Sequence, residues 1–204
     1  MQQQRWLALM QTFGLPANQD CYHKLVQAYS EKHRHYHNQQ HIDACLHWLD
    51  QAKHLSENPH LVELAIWFHD AVYKIFSGNN EADSAHWAEE FLRQNRVGES
   101  TIAKLKAMIL ATRHNAPADD PETQLLADID LSIHGSPTEE FDAFENNIRK
   151  EYILIPGFIY RSKRRDILSG FLQRSRIFHL ELFYERLEQQ ARLNLKNAIA
   201  SLAR

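Results

Sequence analysis

His69 and Asp70 are adjacent, at the end of the apolar run Leu61, Leu64, Ala65, Phe68 and just ahead of the turn-forming Ser77-Gly78-Asn79-Asn80 segment. An imidazole and a carboxylate are both metal-ligand types, and helix neighbours about 100° apart can converge on one ion beside the last turn. Upstream, Tyr36-His37-Asn38-Gln39-Gln40-His41-Ile42 sets His37 and His41 four residues apart, the spacing that brings two imidazoles to one helix face. Asn38 is also a good N-cap residue. A helix starting there leaves His37 in the preceding loop and puts His41 in the first turns. His41 is then the ligand candidate, and His37 reaches the site from the loop, as a donor to a substrate phosphate or as an orienting group. His33 and His35, in the polar Glu31 to His35 stretch, are expected in solvent.

Downstream, Leu125-Leu126-Ala127-Asp128-Ile129-Asp130-Leu131 sets two carboxylates in an apolar helical run. Burying an ionised carboxylate is costly unless a cation or strong donors compensate it, and a metal is the economical explanation. Two residues apart on a helix, Asp128 and Asp130 point roughly 200° from each other, so one is a ligand and the other caps, pairs or orients. Ala111-Thr112-Arg113-His114-Asn115 adds an imidazole and a guanidinium where they could meet a phosphate.

The elements that must hold these residues read as helices throughout. Ile42, Cys45, Leu46 and Leu49 recur at i, i+3, i+4, i+7, as do Leu61, Leu64, Ala65 and Phe68, and Ile102, Leu105 and Ile109 repeat the pattern. Leu180, Phe183, Tyr184, Leu187, Ala191 and Leu195 mark a long C-terminal helix that leaves Glu181, Glu185, Arg186 and Arg192 for water. Trp48 and Trp67 read as core. The expected fold is all-α: about eight to ten helices in one irregular bundle over residues 1–204. Residues 20–135 form its core and residues 136–204 a buttress or lid. Breaks fall at Gly14-Leu15-Pro16, Ser56 to Pro59, Ser77 to Asn80, a loop from Pro117 through Pro121, Gly135-Ser136-Pro137 and Ile155-Pro156-Gly157. Ser136 is read as an N-cap, with Pro137 first in the helix and Glu139 three residues after the cap.

Composition narrows the classes. The 204 residues carry 23 Lys+Arg against 26 Asp+Glu, a formal charge of −3, which argues against a general nucleic-acid binder. No apolar run approaches the ~18 residues of a membrane span, and the Met1-Gln2-Gln3-Gln4-Arg5-Trp6 start lacks the pattern of a signal peptide, so a cytoplasmic location is expected. Cys21 and Cys45 are the two cysteines, without a CxxC spacing, and read as small buried thiols. Thirteen histidines are present, nine of them within the first 70 residues, so the chemistry concentrates in that part of the chain.

A histidine, then His-Asp, then a distant aspartate, in that order on separate helices, resembles the HD superfamily of metal-dependent phosphohydrolases. Arg34 to Ile42, Phe68-His69-Asp70-Ala71-Val72-Tyr73, Asn80-Glu81-Ala82-Asp83-Ser84-Ala85 and Asp128-Ile129-Asp130-Leu131 are similar to a bacterial branch of predicted HD phosphohydrolases with no settled substrate. The likeness spans about residues 20 to 135 and is weaker through Arg161 to Phe178. It implies an HD-type helical domain with His41, His69, Asp70 and Asp130 as metal ligands, Asp130 being taken over Asp128. His114 resembles an extra histidine that some HD enzymes use for a second metal, but the adjacent histidine pair of the clearest dinuclear members is absent. One divalent ion is therefore expected, and His114 is assigned to substrate or water.

Two imidazoles and two carboxylates suit Mn, Fe, Co, Ni, Zn or Mg and leave positions for water and a phosphate oxygen. Asp70, Glu81 and His114 are the catalytic candidates, with Glu81 as general acid or base; the macrodipole alone also favours a carboxylate at that helix start. Substrate contacts are assigned to His37, Arg34, Arg113, Tyr73, Arg161 and Arg165, the last two facing the same way at i, i+4. The function expected is hydrolysis of a small phosphate ester, a nucleotide among the options. The rival is a non-catalytic regulatory module that holds a metal and a nucleotide, and a histidine-rich helical protein with a structural ion is the third reading. No membrane partner is expected, and the apolar C-terminal helix could serve either its own core or a homodimer.

Overall fold

The computed structural model describes residues 2–115 and 118–203. Among the described residues the chain folds into ten α-helices and no strand. These are α1 (Gln3–Thr12), α2 (Gln19–Ala28), α3 (Gln39–Ala52), α4 (Pro59–Phe68), α5 (Asn80–Gln94), α6 (Glu99–Ala111), α7 (Pro121–Leu131), α8 (Thr138–Glu151), α9 (Gly157–Leu172) and α10 (Glu181–Leu202). The loop expected from Pro117 starts outside the described residues and resumes at Ala118. No helix among the described residues is long and apolar enough to cross a membrane.

The chain divides into two compact units, one ending at Ile129 and the other beginning at Asp130. In the first, aromatic packing fixes the centre. Trp6 on α1 lies edge-on to Trp67 on α4 at 5.5 Å between ring centroids, against Phe91 on α5 at 5.8 Å, and its indole N–H donates to the Ala17 carbonyl at 2.9 Å. Gly14 turns the chain out of α1 at φ +64°, a conformation costly for any residue with a Cβ. Asn58 caps α4 by accepting from the Leu61 N–H, and Pro59 follows at a position that needs no donor. α4 is buried nearly all round, from Leu61 to Phe68, so it is the central rod of the unit.

In the second unit, Gly135 lies so close to α10 that a Cβ there would stand 2.4 Å from the Leu187 Cβ. Any larger residue would push the short 3-10 helix Ser132–Gly135 away from α10. Asn194, 1% exposed, donates to the carbonyls of His134 and Ser136 and so ties α10 to the same turn. Four sequence readings shift here. Ser136 does not cap α8; its hydroxyl donates back to the Ile133 carbonyl and the cap position falls on Pro137. Leu180 lies outside α10, as its N-cap. Arg192 is not left to water: it pairs with the buried Glu188 and donates to the carbonyls of Leu172, Arg174 and Ser175, the open end of α9. In the first unit Trp48 is half-buried rather than core, because the α3 stripe that packs inward is Ile42, Cys45, Leu46 and Leu49.

Candidate metal centre

Three of the proposed ligands come from two helix ends. Asn38 caps α3 by accepting from the Gln40 N–H at 2.8 Å, so His37 stays in the loop and His41 enters the first turn, as the sequence implied. α4 ends at Phe68 with His69 as its C-cap, and the chain then turns sharply through Asp70 and Ala71. His41 and His69 are 5% and 1% exposed. Their Nε2 atoms stand 3.1 Å apart, and Asp70 Oδ2 lies 3.2 Å from His69 Nε2 and 3.6 Å from His41 Nε2.

The His69 ring is oriented by its other nitrogen: Nδ1 sits 2.9 Å from the Ile66 carbonyl, which can only accept, so Nδ1 carries a proton and Nε2 is the nitrogen turned toward His41 and Asp70. Burial alone would raise the Asp70 carboxyl, but the imidazoles of His69, His37 and His41 outweigh it and hold the group well below the usual carboxylate range. Asp70 is thus an anion facing two imidazoles.

Asp130 is the remaining proposed ligand. It is carried by α7, and the division between units falls inside that helix, between Ile129 and Asp130. The start of α7 is fixed in the first unit through Glu122, whose carboxylate accepts from Lys104 Nζ at 2.9 Å and from the Asn58 N–H at 3.3 Å. One ligand atom each from His41, His69 and Asp130 lie within 4.8 Å of one another, a group that could hold a metal ion. The donors fit such an ion. Two nitrogens each about 2.1 Å from a metal stand about 3.0 Å apart at octahedral angles and about 3.4 Å apart at tetrahedral ones, which brackets the observed 3.1 Å. Asp130 is half-buried and Asp128 fully buried, so the two carboxylates differ in surroundings as their helical spacing requires.

The surrounding residues sort into three groups. Arg34 is buried and donates to Glu31 through Nε at 2.9 Å, to the carbonyls of Asp70 and His37 through one terminal nitrogen at 2.6 and 3.2 Å, and to Ala71 through the other at 3.0 Å. It joins the loop before α3 to the His-Asp turn. His37 stacks on Tyr73 at 4.3 Å between centroids, so these two substrate candidates are brought together. His33 does not lie free in solvent as expected: its Nε2 is 2.9 Å from the Tyr73 carbonyl and its ring stacks parallel to Tyr73 at 6.2 Å, because the turn after Asp70 folds back over it. His35 is exposed.

Glu81 and Arg113 are also paired, with Arg113 Nε donating to Glu81 Oε2 at 3.3 Å. His114 follows α6 at φ +52°, half-buried. Arg161 and Arg165 lie on α9 of the second unit, both exposed. Three contributors went unread in the sequence. Tyr29 donates to the Trp67 carbonyl at 3.0 Å, and Ser84 accepts from the Val72 N–H at 3.0 Å, pinning the His-Asp turn to α5. Cys45, one turn along α3 from His41, puts its Sγ 3.8 Å from that ring. The i, i+4 relation of His41 and Cys45 was the available signal for the last; the other two rest on pairings far apart in the chain. No known family model, curated protein or solved structure matches this chain.

Proposed function

We propose that this protein is a metal-dependent phosphohydrolase of the HD type, acting on a small phosphate ester, with one divalent ion held by His41, His69, Asp70 and Asp130. The observation that carries the reading is the convergence of the two buried Nε2 atoms, 3.1 Å apart, with the Asp70 carboxylate beside both. A divalent ion bound there supplies a Lewis acid for a phosphate oxygen and lowers the pKa of water at the site. The protein's own part is positioning. Ile66 fixes the face that His69 presents, Arg34 holds the turn that carries Asp70, and Asn38 sets the register of His41. Glu81, steadied by Arg113, is the carboxylate offered for proton transfer. The nearby His37 and Tyr73 offer an imidazole donor and a flat ring to a phosphorylated substrate.

The test is phosphate release from a panel of nucleotides, phosphomonoesters and pyrophosphates, with Mn²⁺, Co²⁺, Ni²⁺, Zn²⁺ or Mg²⁺, comparing wild type with Asp70→Ala. Release by the wild type that is lost in the variant, with helical circular dichroism unchanged, supports the reading. A wild type that binds metal and releases nothing from any substrate overturns catalysis and favours a binding module. Full metal stoichiometry in Asp70→Ala removes Asp70 from the ligand set.

A further inference from the structure

The turn between α8 and α9 exposes apolar side chains that a water-facing loop has no reason to carry. Ile153, Leu154 and Phe158 are 64%, 73% and 70% exposed, and Ile159 and Ile167 are exposed as well. Five of the eight large hydrophobics exposed among the described residues therefore fall within one stretch of fifteen, a concentration in one segment rather than a scatter along the chain. The helix behind the turn explains the arrangement. α9 buries Tyr160, Leu168 and Phe171 with the half-buried Arg164 on one face, and Arg164 is neutralised there by Glu145. The remaining arc carries Phe158, Ile159 and Ile167 interleaved with Arg161, Lys163 and Arg165. Those three basic side chains are exposed and make no ion pair among the described residues, and Asp166 is the acid set among them.

We infer that this α8–α9 tip is a peripheral membrane-docking surface that sets its apolar side chains into the interface of an anionic lipid bilayer. Bulky apolar residues at a tip, with unpaired cations directly behind, match a surface whose acyl boundary lies beneath a negatively charged headgroup layer. A second copy of the chain fits less well. A two-fold contact would set each patch against itself and bring Arg161, Lys163 and Arg165 toward their own counterparts. Nothing in this surface spans a bilayer, so the attachment is reversible and salt-sensitive.

The experiment is sedimentation of the full chain with vesicles of phosphatidylcholine alone and of phosphatidylcholine mixed equally with phosphatidylglycerol. Binding to the mixed vesicles that falls with salt is expected, with little binding to phosphatidylcholine alone. Leu154→Asp with Phe158→Asp should abolish it. Replacing Arg161, Lys163 and Arg165 with Gln should weaken it by roughly a hundredfold, from the usual worth of a basic residue beside an anionic leaflet. Phe158→Trp gives a direct readout: its emission should shift to the blue on adding mixed vesicles. All these positions are exposed, so unchanged circular dichroism is expected of each variant. No binding to mixed vesicles, equal binding to both vesicle types, or binding indifferent to these substitutions overturns the proposal. So does a dimer in sedimentation velocity that Phe158→Asp converts to monomer, since the patch is then an interface between copies of the chain.

Discussion

Arg34 and Arg165 were candidates for the same task, holding a phosphate, and the two units of the molecule use them in opposite ways. Arg34 is 5% exposed, with three backbone carbonyls and one carboxylate on its guanidinium and the rings of Tyr29 and Tyr73 at 5.2 and 5.5 Å. Arg165 sits on the outer arc of α9 with no ion-pair partner among the described residues. Residue type alone cannot separate the two. What separates them is the backbone near each: the chain turns twice beside Arg34, after Glu31 and after His69, and leaves carbonyls without helical partners, whereas the carbonyls around Arg165 are bonded within α9.

Truncation gives the largest expected difference. Arg34→Ala should lower the stability of the fold by roughly 3 kcal/mol or more, since it leaves buried carbonyls of the His-Asp turn unsatisfied. Arg165→Ala should stay within about 0.5 kcal/mol of wild type. Urea unfolding followed by circular dichroism reads both. Arg34→Lys belongs in the series, because it keeps the charge but not the planar fork, and it should recover only a small part of the loss. Equal costs at the two positions would show that Arg34 does not fasten the turn.

The two aspartates of α7 repeat the contrast within a single helix. Removing an outer partner of a metal ligand typically costs 10- to 100-fold in affinity, and removing a ligand should cost more. Asp130→Asn is therefore expected to weaken metal binding by on the order of a hundredfold or above, and Asp128→Asn to fall at or below the lower range. Titration with Zn²⁺ or Mn²⁺, with bound metal counted after desalting, ranks them. The reverse order would transfer the ligand role to Asp128.

The helices, the Asn38 cap and the placement of His41 and His69 were legible because each is local: periodicity, a capping side chain and adjacency all act within a turn or two. Much of what holds the site was not. Arg34 meets Asp70 and Ala71 across 36 and 37 residues, and Tyr29 meets Trp67 across 38. Nothing in spacing foretells such closures. His33 was misread for the same reason, since its partner, the Tyr73 carbonyl, belongs to a turn forty residues on. In the second unit the basic run was legible as a run, but the apolar residues interleaved with it acquire meaning only once α9 is seen to bury a different face.

The smallest effect tests a carboxylate used as a fastener. Glu122 is 4% exposed at the start of α7. Burial works against its charge, yet the bonds from Lys104 Nζ and the backbone hold its pKa below the ordinary 4.5. Because the folded state lowers this pKa, the stabilisation is present above the ordinary value and is lost as pH falls through the lowered one. Lys104 is 42% exposed, so the pair is partly screened and the contribution near neutrality is set at about 1 kcal/mol. Glu122→Gln should therefore unfold at lower urea than wild type near about pH 7, and the gap should close as both proteins are taken toward about pH 3. Asp166→Asn, on the exposed arc of α9, should show no gap at either pH. A Glu122→Gln deficit unchanged by acid would mean that the carboxylate packs as a neutral group and that its charge does not anchor α7.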